Sequence, residues 1–223
     1  MVETVKNIFL IISALFPIVN PLGDSPIFLS FTGEYSTSMR RALSRQIAIN
    51  SFFLLLGSYL FGTYVLAFFG ISLPVVQIGG GLIVISSGWA MLKTPNDHKQ
   101  ERHEVQAKIN PQDTFDNAFY PLTLPLTVGP GSISVAVTLG ANATPHYGTH
   151  HLLIVAAIIG CLVIGLSIFL CYGFADYFAR FLGPTGMSVF MRLSTFLLIC
   201  IGVQIVWNWV SALLASLPLR FGT

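Results

Sequence analysis

Charge is what this chain has least of. Only 9% of its 223 residues are Asp, Glu, Lys or Arg, against roughly a quarter in an ordinary soluble domain. Apolar residues make up 54%, and the mean hydropathy is +0.76. That balance excludes a soluble globular enzyme and a disordered chain. A net charge of +2 gives no electrostatic reason to expect DNA or RNA as a partner. Cysteine is also scarce. Cys161, Cys171 and Cys200 all fall in apolar stretches, so no disulfide framework is expected, and there is no CxxC redox pair. No P-loop is present, so the chain carries no energy-coupling ATPase of its own. The N-terminus lacks a charged leader and a small-residue cleavage site, so the first apolar run is expected to stay in the mature protein.

What is abundant is apolar sequence long enough to cross a bilayer, which takes about 20 residues. Six stretches qualify: 8–32, 46–69, 71–92, 118–140, 151–175 and 193–217. The predicted fold is an all-α membrane protein with six transmembrane helices, a single integral membrane domain over 1–223. Nine of the twenty charges lie in 93–117, a loop marked by Pro95 and Pro111, which reads as a polar linker between two hydrophobic halves. Six crossings place nine of the eleven Lys and Arg residues on the linker side, with Lys6 and Arg220 opposite. The positive-inside rule then puts the linker in the cytoplasm and both termini outside. Re-entrant hairpins at segments one and four would give the same ratio with both termini inside, so charge alone does not separate the two topologies.

The halves resemble each other. Pro17, Pro21, Leu22 and Pro26 recur as Pro121, Pro125, Leu126 and Pro130 at a constant offset of 104, each set preceded by an aromatic residue, Phe16 or Tyr120. Gly88 matches Gly202 at an offset of 114. Three crossings per half turn the second half upside down. The prediction is two inverted three-helix repeats, 8–92 and 118–217, an architecture common among secondary transporters. Duplication kept only for packing is the plainer alternative.

Residues 16–26 hold three prolines and Gly23, and residues 120–132 hold three prolines, Gly129 and Gly131. Proline removes a backbone donor and crowds the carbonyl four residues back. The first and fourth helices are therefore expected to be broken mid-membrane, with half-helices starting near Pro26 and near Gly131. The freed carbonyls must face protein or a water-filled cavity. Each half-helix start carries about half a positive charge, and two such ends meeting centrally would cradle a carboxylate or another anionic group. A structural kink packed on its neighbours is the bland reading.

The candidate substrate-binding residues are Asn20, Pro21, Gly23, Asp24, Thr127, Gly129, Pro130, Gly131 and Ser132, with Gln77, Thr123 and Gln204 in second rank. Buried groups of that second kind are more often interhelical hydrogen bonds than ligand contacts. Gly129 and Gly131 read as places where a ligand comes close to the backbone. Asp24 is the one charged residue inside any of the six stretches. It can serve a cation, a proton or a substrate amine, or it can cap the half-helix near Pro26. A lone Asp cannot form the dyad of an intramembrane aspartyl protease, and no catalytic residue is expected. His146, His150 and His151 have ligand-like spacing, but Pro145 and Gly148 oppose the helix that spacing needs and no fourth ligand suggests itself, so neither metal nor cofactor is expected.

Asn20-Pro21-Leu22-Gly23 resembles the first signature of the MarC family, also described as a neutral amino acid transporter family. Phe69-Gly70-Ile71-Ser72, Ile78-Gly79-Gly80-Gly81-Leu82-Ile83-Val84, the run from Pro121 to Gly131 and Ile201-Gly202-Val203-Gln204 are similar to further patterns of that family. The resemblance implies a multi-pass protein of the prokaryotic inner membrane. Its broken-helix residues map onto Asn20, Pro21, Gly23, Gly129, Pro130 and Gly131. Asp24 is a departure, at a position associated with uncharged residues. The resemblance also implies small neutral amino acids such as glycine or alanine as solutes. The function expected is secondary transport of a small polar solute driven by a proton or sodium gradient. A non-transporting assembly or regulatory protein and a channel are the alternatives. The expected partners are the lipid bilayer, the solute and, as an option, further copies of the chain in a homo-oligomer.

Overall fold

The computed structural model describes residues 2–33, 35–92, 118–143 and 150–216. The linker 93–117 and the loop carrying His146 lie outside these residues. Among the described residues there is no strand. The helices are α1 (Val2–Val19), α2 (Pro21–Phe31), α3 (Thr37–Phe68), α4 (Leu73–Leu92), the wide-turned α5 (Ala118–Thr127), α6 (Pro130–Asn142), α7 (His150–Gly173) and α8 (Ala175–Ser216). Five segments are long and apolar enough to cross a membrane, and α5 with α6 makes a sixth if that bent pair is one span.

The two proline-rich segments break differently. At the first, Asn20 alone leaves the helix, with left-handed φ 46° and ψ 51°. Its N–H still donates to the Phe16 carbonyl at 2.9 Å, and its own carbonyl accepts from the Asp24 N–H at 3.0 Å. The ladder bridges the interruption, so Glu3–Phe31 remains one candidate span. At the second, Tyr120 (φ −124°, ψ 124°) and Leu124 (φ −116°, ψ 122°) are extended. Both precede prolines, whose rings push the preceding residue out of the helical region. α5 and α6 meet at 72°. The equal pair of mid-segment breaks expected from the repeat is thus unequal in degree: both segments have two prolines four residues apart, but Phe16 stays helical before Pro17 while Tyr120 and Leu124 are both extended.

Helix ends also differ from the sequence reading. α3 starts at Thr37, capped by the Ser36 hydroxyl accepting from Met39 N–H, nine residues before the apolar stretch begins. At 1.5 Å per residue its 32 residues reach about 48 Å, well beyond the roughly 30 Å hydrocarbon core. The extension carries Arg40, Arg41 and Arg45. At its other end Gly70, at φ 66°, lets the Ile71 N–H reach the Leu66 carbonyl (2.9 Å) and the Gly70 N–H reach Ala67 (3.1 Å), a Schellman stop. Residues 176–192, outside every apolar stretch, are helical apart from Gly183 at φ 65°.

Arg40 pairs with Asp176 at 2.5 Å and also donates to the Tyr35 carbonyl, while Arg41 lies over the Phe174 ring. The loop before α3 and the start of α8 therefore share one end of the bundle, as six crossings require and two re-entrant hairpins do not.

Packing pairs α3 with α7 and α4 with α8. Around them α1 lies on α7 as α5 lies on α3, and α2 lies on α8 as α6 lies on α4. α4 and α8 meet through glycine. The Cβ position of Gly81 is 3.0 Å from the Gly202 carbonyl, and that of Gly88 is 3.4 Å from the Thr195 carbonyl. Rising numbers on α4 meet falling numbers on α8, so these helices run antiparallel. A methyl on Gly140 of α6 would overlap the Tyr59 carbonyl of α3, a backbone atom that cannot rotate away. Gly57 has nothing within 4 Å of its Cβ position. We expect Gly140→Ala to destabilise the detergent-solubilised protein by about 1–3 kcal/mol. Gly57→Ala should be neutral or stabilising by up to about 1 kcal/mol. Paired thermal melts check both.

Candidate functional site

A cavity of about 430 Å³ lies where α2, α4, the α5–α6 bend and α8 meet. Volumes of roughly 300–1,000 Å³ are those that hold small-molecule ligands. Asn20, Asp24, Gly129, Pro130, Gly131 and Ser132, six of the nine leading candidates, line it together. Ser87 adds a hydroxyl, and Phe31, Met91 and Met191 supply apolar wall toward the end marked by Arg40 and Asp176.

α2 starts at Pro21, five residues before the expected Pro26, and its cap is Asn20. The Asn20 Oδ1 accepts the Gly23 N–H at 3.3 Å, and its buried Nδ2 has no partner. Asn tolerates left-handed backbone because its short amide can bond locally. Any side chain on Gly23 would overlap that amide, so Gly23 makes room for the cap. Pro21 is buried at the first helical position, where a missing N–H costs nothing. The capping role considered for Asp24 therefore falls to Asn20. Asp24 stands in the first turn of α2, 9% exposed, facing the cavity, and it makes no ion pair among the described residues.

α6 opens at Pro130 after Gly129, which is extended and has no side chain to cap with. The helix start is left without a side-chain cap on the wall opposite Asp24's helix. The Ser132 hydroxyl donates back to the Gly129 carbonyl at 2.9 Å. Gly131 lines the cavity and has a packing reason as well. A methyl there would overlap the Val84 side chain of α4, so helix packing demands that glycine. Gly129 meets only the Pro125 carbonyl, at 3.3 Å, and is the glycine whose bare backbone faces the cavity.

Thr123 and Thr127 stand behind the cavity wall. Thr123 Oγ1 donates to the Ala118 carbonyl (2.6 Å) and Thr127 Oγ1 to Leu122 (2.7 Å). Each hydroxyl satisfies a carbonyl in a segment where Pro121 and Pro125 have no N–H to offer. Thr127 has spent its single proton, so at 3.0 Å the Tyr172 hydroxyl donates to it. Tyr172 stacks on Phe28 at 4.6 Å. Asn50 reaches Thr123 at 3.4 Å. Gln204 is not at the site. It is exposed and bonds Asn208 at 2.6 Å. Gln77 is 2% exposed, away from the cavity, and both its amide atoms lack partners.

Reading the sequence missed Ser87 and Tyr172. Tyr172 is the one tyrosine in the apolar run 151–175 and carried that much signal; Ser87, in a Ser-Ser pair on a glycine-rich helix, carried little. Thr127→Val should strand the buried Tyr172 hydroxyl and cost about 1–3 kcal/mol, whereas Tyr172→Phe leaves Thr127 bonded and should cost less. The double variant should be no less stable than Thr127→Val, and a double-mutant cycle on thermal unfolding checks the order.

Three comparisons bear on this arrangement. The model for "MarC family integral membrane protein" matches residues 5–214. The chain is 32% identical over 215 residues to the UPF0056 inner membrane protein MarC of Salmonella typhimurium, covering 94% of this chain and 96% of that protein. It is 31% identical over 216 residues to the protein of the same name in Citrobacter koseri (94% and 96% covered), and 30% identical over 193 residues to the UPF0056 membrane protein YvbG of Bacillus subtilis (86% and 89%). No solved structure matches the chain. With its family model spanning both breaks and the cavity between them, the chain belongs to the MarC family of integral membrane proteins.

Proposed function

We propose that this protein is a secondary transporter of a small zwitterionic solute, in the class of glycine and alanine, working by alternating access. One observation carries the reading. A buried carboxylate, Asp24, and an uncapped helix start at Gly129–Ser132 line the same cavity. A helix start attracts a carboxylate, and a carboxylate attracts an ammonium group, so the pair is complementary to a neutral amino acid. Apolar walls around few polar groups favour a small solute over water flow. The clustering of polar groups at one level, rather than along a whole helix face, favours a transporter over a channel.

The repeat belongs to the same proposal. Equivalent helices α4 and α8 run antiparallel, and the contact of Gly202 with Ile85 and Gly81 corresponds, at the offset of 114, to that of Gly88 with Ile199 and Thr195. This supports two inverted three-helix halves with breaks in the first and fourth spans. The cation count supports a cytoplasmic linker and both termini outside. Cysteine labelling at Lys99 and Arg220 checks that arrangement. Opposite sides are expected, and the same side for both would remove the inversion.

Purified protein in liposomes, given labelled glycine and alanine under imposed proton and sodium gradients, tests the function directly. Accumulation is expected, and folded protein that accumulates neither under either gradient would overturn the proposal. Asp24→Asn keeps the shape and leaves the Asn20 cap in place. Lost accumulation with retained exchange would assign Asp24 to gradient coupling, and loss of both would assign it to the ammonium group. Unchanged accumulation would remove it from the mechanism.

A further inference from the structure

The same two offsets, 104 in the first segment of each half and 114 in the third, can be applied to the cavity wall itself. Ile27 and Gly131 exchange places, as do Val84 and Leu198, and all four line the cavity. They mark its floor. The rest of the wall lands elsewhere. Phe31 maps to Val135, Gly129 to Ser25, Ser132 to Phe28, Asp24 to Val128 and Met191 to Gln77. These five images are packed shut, at most 9% exposed, whereas the images of Ser87 and Met91, Ile201 and Ile205, are half-buried and that of Ile83, Leu197, is exposed. The open wall runs from the floor toward Phe31, Met91 and Met191, at the Arg40–Asp176 end. Its image runs the other way, toward the start of α4 and the far end of α6.

Gln77 gives the closed image chemical content. Its Nε2 and Oε1 are both buried and both unpartnered. An orphaned buried amide destabilises whatever state contains it, and in native proteins it calls for a specific explanation. Nothing in the closed packing supplies its hydrogen bonds.

We propose that the region around Gln77, Ser25 and Val135 is a second opening of the solute path, shut in this structure, in which the Gln77 amide meets water and the solute. The proposal rests on the alternating-access reading above. When the second opening forms, the first closes by adopting the packing now seen in its image. Gln77 then contacts a zwitterionic solute through both amide donor and acceptor, and its unmet bonds in the present state favour leaving that state.

The test is side-specific labelling, which needs no solute. In a background with Cys161, Cys171 and Cys200 replaced by alanine, Phe31→Cys, Val135→Cys and the near-isosteric Ser25→Cys are each exposed to a membrane-impermeant maleimide in right-side-out and inverted vesicles. Gel filtration confirms the fold of each. Phe31→Cys should react from the linker side, and Val135→Cys and Ser25→Cys from the opposite side. Adding Gln77→Leu, which removes the orphaned amide, should slow labelling at Val135→Cys about tenfold and leave Phe31→Cys at least as reactive. The inference is overturned if Val135→Cys and Ser25→Cys both stay inert from the opposite side, or if Gln77→Leu leaves their rates unchanged. Opposite-side labelling in a protein that moves no amino acid would keep the second opening and remove the solute assignment. Transport without such labelling would do the reverse.

Discussion

Every backbone polar group inside a bilayer has to find its partner within the protein, because lipid offers none. The structure is organised around how this chain meets that constraint where prolines interrupt its helices. Asn20 turns left-handed yet keeps both neighbouring ladder bonds, so the first span continues as one. The Thr123 and Thr127 hydroxyls bond the Ala118 and Leu122 carbonyls in the proline-rich α5, and the second span bends. The cavity lies between the continuous first span and the bend of the second, with α4 and α8 as its other walls.

What keeps the bend from simply collapsing onto its neighbours is close helix packing on the other side. Gly80 of α4 admits Ser134, whose hydroxyl donates to the Val76 carbonyl at 2.8 Å, and Gly131 admits Val84. Below that seam α4 and α8 approach through Gly81, Gly88 and Gly202. Small residues let backbones come near enough for dispersion to hold helices together where no hydrophobic drive operates. The glycines thus hold the walls, and the polar groups of Asn20, Asp24 and Gly129 are left facing the space between them.

Much of this was legible in the sequence. Apolar length alone located the spans, and the proline-rich runs contain the non-helical residues, Asn20 in one and Tyr120 and Leu124 in the other, because each effect acts on its own residues. Features that depend on partners were not legible. That Asn20 and not Asp24 caps α2 depends on which of two short polar side chains folds back onto Gly23. The packing demand at Gly131 comes from Val84, 47 positions earlier in the chain. The water-side extension of α3 has no apolar pattern to announce it, and it is held by Asp176 and Phe174 from the other half. Gln204 looked like a buried amide because hydropathy does not report which face of α8 meets lipid.

The bent span has one more consequence, for how the protein is made. α5 is wide-turned, carries two prolines and contains two extended residues, so as an isolated segment in lipid it would be a poor helix. The groups that complete it and α6 from outside their own span include Asn50 of α3, the Val76 carbonyl and Gly80 of α4, and Tyr59 of α3. All of these leave the ribosome before residue 118 does, and the Tyr172 hydroxyl, which donates to Thr127, follows later. Synthesis from the N-terminus therefore delivers the docking surface first, and the least self-sufficient segment of the chain enters the membrane when α3 and α4 are already there to receive it.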